Sequence, residues 1–306
     1  MKTPAFIALF VILHSSFVIA QGGPLTPPGP PGPAMTTLSN IANQITVADT
    51  KLTELKGDAR TPISAAPFNI TQPGSYYLTG NLSVTSGAAI DIDADNVTLD
   101  LNGFTLSSTH ATGSGFAIFI DIGHKKIRIR NGHIMGNATV TAGVFTPGGF
   151  NGGIGSPSSA NRGIHISDIR VSNVGGGGIS IASSSTVLSV VENCMVNVCS
   201  GTGISAYIIT NSSASDCGSA AIDGGTVSGS YGASIGTDSG DHGIIGTTVT
   251  NSTGVSASGT GISGNLVSFS RGRRDGGVAI SAISAIGCIV SGTGTVTASQ
   301  KHLGTP

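Results

Sequence analysis

One short unit returns along this sequence at a nearly fixed interval: a small residue, an isoleucine, then a residue that is mostly polar or small. It reads Gly178-Ile179-Ser180, Gly203-Ile204-Ser205, Ala221-Ile222-Asp223, Gly243-Ile244-Ile245, Gly261-Ile262-Ser263 and Ala279-Ile280-Ser281, with steps of 25, 18, 22, 18 and 18. Ala117-Ile118-Phe119 and Gly163-Ile164-His165 extend the series upstream at longer intervals. A period near twenty that tolerates insertions is one coil of a solenoid, and the inserted residues leave it as loops. The isoleucines are therefore expected inside, stacked in one column. Cys199 precedes Gly203 by four residues and Cys217 precedes Ala221 by four, so the two thiols are expected at equivalent places in adjacent coils, about 4.8 Å apart.

Composition says that the coils are built of strands. The 306 residues include 47 glycines and no tryptophan, and only 9% are charged, too few for solvated helix surfaces. Ser, Thr, Val and Ile favour pleated structure. Residues 89–92 and 97–103 alternate apolar and polar positions as half-buried strands do. A β-propeller would need blades of about 40 to 50 residues with aromatic signatures, which a tryptophan-free chain of 18-residue minimum period does not supply. A mean hydropathy of +0.27 excludes a disordered Gly/Ser chain. A net charge of −1 and a pI near 6.6 argue against a nucleic-acid partner, which requires many phosphate-neutralising cations.

The first 60 residues follow other rules. Residues 1–20 carry Lys2, an apolar run from Ala5 to Leu13, and a small-residue ending at Ala20, the pattern of a cleaved export signal. It predicts a secreted or periplasmic protein with no membrane attachment after cleavage. Residues 21–34 form a Pro/Gly-rich linker. Residues 35–57 read as a helix: Leu38, Ile41, Ile45, Ala48, Leu52 and Leu55 recur at steps of 3, 4, 3, 4 and 3, and Gly57 stops it. That seam has two readings, a cap over the open end of the following domain or a short coiled coil joining copies in a homo-oligomer. Residues 58–306 are the β domain. Four cysteines in a chain of this length are no disulfide framework, so packing must hold it.

The stretches Gly74–Leu82, Asn96–Phe104 and Ile127–Gly132 resemble secreted right-handed parallel β-helix repeat proteins of the pectin-lyase-like superfamily, over roughly residues 60 to 300. The fold class is accordingly all-β: a right-handed parallel β-helix, a single-stranded solenoid, with a short N-terminal helix. The resemblance specifies a fold and not an activity, because that superfamily holds lyases, hydrolases, epimerases and adhesins.

Two clusters invite chemistry. Asp91, Asp93 and Asp95 alternate with apolar residues, so on a strand all three carboxylates would share a face and offer oxygens to Ca²⁺. The competing reading is an edge charged against aggregation. Aligning Ile127 with Ile164 sets Arg128 beside His165, Arg130 beside Ser167, Asn131 beside Asp168 and His133 beside Arg170. In superfamily members that cleave uronate polymers, a basic residue abstracts the proton beside the carboxylate and cations or Ca²⁺ neutralise it. Arg128, Arg130, His133, His165, Asp168 and Arg170 are therefore the candidate catalytic or polysaccharide-contact residues. No motif of a known lyase or hydrolase accompanies them, so a non-catalytic surface contacting an acidic polysaccharide or cell-envelope glycan is the leading expectation. A lyase or epimerase on uronate glycans and a purely structural or adhesive protein are the alternatives.

Overall fold

The computed structural model describes residues 38–56, 59–156, 160–182 and 188–302. The export signal at 1–20, the linker at 21–34 and residues 35–37 and 57 of the expected helix lie outside the described residues. The chain divides into two compact units, Met1–Asp58 and Ala59–Pro306. In the first, helix α1 spans Leu38–Lys56. None of the described helices is long and apolar enough to cross a membrane.

The second unit is a parallel β-helix. Twenty-five strands join in one continuous network whose pairings are all parallel, each strand bonded to those one coil before and after it. Among the described residues, the hairpin Thr139–Thr141 with Val144–Thr146 is the one antiparallel pair. Each coil contributes to three stacked ladders. In the first, the isoleucine column runs unbroken: Ile90, Ile118, Ile154, Ile179, Ile204, Ile222, Ile244, Ile262 and Ile280 are successive partners. All are fully buried. The residue between Ile118 and Ile179 is Ile154, not the expected Ile164. Ile164 pairs with Ile127 on the second ladder. Every ladder uses the same apolar-in, polar-out alternation, so Gly163-Ile164-His165 imitates a unit of the first ladder while belonging to the next.

The second ladder buries Leu99, Ile129, Ile166, Val191, Ile209, Val227, Val249 and Val267 in register. The third stacks Leu82, Leu106, Ile134, Val171, Val196, Ala214, Gly232, Gly254 and Gly272. Cys199 pairs with Cys217 on this ladder as expected, and all four cysteines are buried and free.

Chain reversal between the second and third ladders depends on one backbone state. Asn102, Asn131, Asp168, Asn193, Asn211, Asn251 and Phe269 all have φ between 48° and 60°, and Gly229 and Gly287 complete the row at 59° and 57°. Asn, Asp and Gly tolerate this left-handed region best. The next residue in several of these turns is a buried serine or cysteine. Ser212, Ser230 and Ser252 each donate their hydroxyl to the carbonyl two residues back, at 2.8, 2.8 and 2.7 Å. Each of these oxygens in turn accepts the amide of the coil before it: Cys194 to Ser212 at 3.1 Å, Ser212 to Ser230 at 3.3 Å, and Ser230 to Ser252 at 3.2 Å. Amides that the turn removes from the strand ladder are thus satisfied by a serine stack.

Candidate functional site

Strands Lys125–Met135 and Arg162–Val174 carry the basic cluster, and they pair in the expected register: Arg128 with His165, Arg130 with Ser167, His133 with Arg170. The left-handed turn at Asn131 and Asp168 divides the six candidates. Arg128, Arg130 and His165 lie on the outer face of the second ladder, Asp168 sits in the turn, and His133 and Arg170 face outward from the third ladder.

On the second ladder Arg128, Arg130 and His165 have partners on neighbouring coils. Asp100 is buried and receives Arg130 Nη2 at 3.0 Å and Arg60 Nη1 at 3.1 Å. Its other oxygen accepts the Asn102 amide at 2.8 Å and Asn131 Nδ2 at 3.1 Å. Four donors use the acceptor capacity of a carboxylate. Arg60 also lies over the Tyr77 ring, 4.5 Å from its centroid. One step along the ladder, His165 Nε2 meets Glu192 Oε1 at 2.7 Å and His165 Nδ1 meets Arg128 Nη2 at 3.1 Å. A guanidinium has only donors, so Nδ1 accepts and Nε2 carries the proton donated to Glu192; the tautomer is assigned from these partners. Neither ring nitrogen is left to take a proton from a substrate. Asp100, Arg60 and Glu192 completed this cluster unannounced by the sequence, because they sit on coils whose stacking alone brings them near.

His133 and Arg170 line a depression of about 340 Å³ with Thr105, Met135, Ser172 and Asn197. Asp168 and Arg170 line a second, about 310 Å³, with Asn193, Met195, Asn211 and Ser213. Cys194 borders that second depression, but burial pushes its thiol up to about 12, so it is no nucleophile.

The aspartate triplet does not converge. Its strand ends at Ile92, and the chain then bends, separating Asp91 from the other two. Asp93 and Asp95 grip His124 instead, with Oδ1 atoms 3.1 Å from Nε2 and 3.1 Å from Nδ1 respectively. The His124 bond, followed by the Lys125 amide, holds Asp95 below the ordinary carboxylate range. Burial, then the Asp121 charge, pushes Asp91 up. Among the described residues no group of three metal-capable side chains gathers around one point.

A wider depression, about 710 Å³, lies elsewhere. Four seven-residue strands, Ile204–Thr210, Ile222–Ser228, Ile244–Thr250 and Ile262–Ser268, each run from the first ladder into the second. At their bends Gly224, Gly246 and Gly264 take inward positions, where a Cβ would meet Ile209, Val227, Val249 or Val267, while Gly225 leaves the outer face to the Tyr207 ring. Tyr207, Asp223, Thr226, Thr247, Ser263 and Asn265 line what remains. The Tyr207 ring occupies the space that a Cβ on Gly225 would enter. Burial raises the Asp223 carboxyl above its ordinary value. With Ile245 also in its lining, the groove bears one carboxyl and no cation, and its chemistry is hydroxyl, amide, one aromatic face and one aliphatic side chain. Sequence reasoning passed over it because its shape comes from the bends of stacked strands and it bears only one carboxyl.

No protein-family model matches this sequence, and no curated protein or solved structure matches it.

Proposed function

We propose that this β-helix is an exported, non-catalytic polysaccharide-binding protein that holds a neutral glycan along the groove between Tyr207 and Asn265. One observation carries the reading: Arg130 is engaged by Asp100 and His165 by Glu192, whereas the depression of about 710 Å³ carries no cation and offers polar groups beside an aromatic ring. Sugar hydroxyls match Thr, Ser and Asn side chains, and a pyranose face matches the Tyr207 ring. Rungs repeat about every 4.8 Å, so an extended glycan lying across the coils would meet comparable groups at each step. The export pattern of residues 1–20 supports an extracellular or periplasmic setting.

The test is depletion binding and calorimetry with a neutral glucan, a neutral galactan and a polyuronate. A neutral glycan should bind with little dependence on salt, and Tyr207→Ala should weaken it about tenfold, the size of one aromatic contact of about 1.4 kcal/mol. Binding confined to polyuronate, steeply salt-dependent and lost in Arg128→Ala or Arg170→Ala, moves the site to the basic cluster. Release of unsaturated product absorbing in the ultraviolet makes the protein a lyase. Failure to bind any of the three polymers leaves the structural or adhesive reading.

A further inference from the structure

We infer that helix α1 is a self-association element whose partner is the same helix in a second copy of this chain. Every helix residue from Leu38 to Thr50 is exposed, including Leu38 at 86%, Ile41 at 41% and Ile45 at 64%. These three open the seam that the sequence continues through Ala48, Leu52 and Leu55. A 19-residue helix is marginal in water by itself, and packing of its apolar face supplies most of a helix's stability.

The period of the seam selects the partner. Leu38, Ile45 and Leu52 fall at one heptad position and Ile41, Ala48 and Leu55 at the other. A strict 3.5-residue repeat drifts around a straight helix of 3.6 residues per turn, and it stays on one face when helices wind about each other. The helix that fits such a seam carries the same spacing of knobs and holes, which a second copy provides by identity. Charge agrees, for the helix carries Asp49 and Glu54 against Lys51 and Lys56, so two copies meet with no net repulsion. Joining copies would also join their grooves, and linked sites gain avidity without new contacts. The self-association inference itself does not depend on what the grooves bind.

Sedimentation equilibrium of the full chain over a wide concentration range tests this. The mass should be a whole-number multiple of the 30.2 kDa protomer. The double variant Ile41→Asp/Ile45→Asp should sediment as single protomers while the β unit keeps its melting temperature, and Ile45→Leu should retain the assembly. Three results overturn the inference: an unaltered chain that stays a single protomer at all concentrations, an assembly that survives the double substitution, or a fall in β-unit melting with no change of mass. The last would make the helix a cap of the solenoid end. Glycan binding is measured separately, so loss of one reading leaves the other standing.

Discussion

The coils before and after Ile204 share three ladders and one isoleucine column, yet they are filled differently. Before it, coils are 25 to 36 residues long by the spacing of Ile90, Ile118, Ile154, Ile179 and Ile204, and the third ladder packs Leu82, Leu106, Ile134, Val171 and Val196. After it, coils shorten to 18 or 22 residues, and the same positions become Ala214, Gly232, Gly254 and Gly272. The first ladder thins in parallel, through Ala206, Gly224, Gly246 and Gly264. Where the opposing ladders close up, the side chains between them must be smaller for the interior to stay close-packed. The long coils spend extra residues on excursions such as the hairpin at 139–146 and carry the ion pairs of Asp93, Asp95, Asp100 and Glu192. The short coils are thin and carry the groove.

The first way to break this comparison is to empty the wide half. Ile154→Ala removes a fully buried side chain from the column, and calorimetric or denaturant unfolding should show a loss of about 2 to 5 kcal/mol. The opposite change belongs to the thin half. In Gly254→Ala the new Cβ would run into the Gly261 carbonyl oxygen and lie 2.6 Å from Ile262 Cγ1, so adding a methyl should cost about 1 to 3 kcal/mol by overpacking. An unchanged melting temperature for Gly254→Ala would mean that the thin half is not closely packed. Next comes the serine stack: Ser252→Ala deprives the Ser230 amide of its acceptor, and unfolding should show a loss of about 1 to 3 kcal/mol, at the lower end if water reaches the site.

The smallest expected effects are in the acid limb, and they have opposite signs in the two halves. Asp95 sits below its ordinary value of 3.8 in the folded protein, so its contribution is complete above that value and is lost as pH falls through the lower one. Asp223 is raised above 3.8 by burial, so the folded state holds its proton more tightly and stability rises as pH falls through the raised value. In melting profiles below about pH 5, Asp95→Asn should make the acid loss shallower and Asp223→Asn should make it steeper. Equal slopes for the two variants would remove the electrostatic contrast between the halves.

Much of this was legible in the residues. Ile179, Ile204, Ile222, Ile244, Ile262 and Ile280 could be placed in one column because equal spacing in a solenoid becomes equal position. The pairings of Arg128 with His165 and of Cys199 with Cys217 followed from the same step. Ile154 was not legible: it sits in a glycine-rich stretch, and its neighbour Gly163-Ile164-His165 shows an identical local pattern on another ladder. The engagement of Arg130 by Asp100 and of His165 by Glu192 was hidden as well, since those partners are 30 and 27 positions away and meet only through stacking.

By itself, then, the sequence determined what repetition encodes: parallel coils, an apolar interior, a heptad seam in residues 38–55 and the residues that share a rung. Only the tertiary structure decided which charges neutralise one another and where the surface opens. The reason is that side-chain alternation is a local property of strands, set residue by residue. Ion pairing and concavity depend on distances between coils and on how stacked bends shape the outer face, as where Gly225 gives way to the Tyr207 ring.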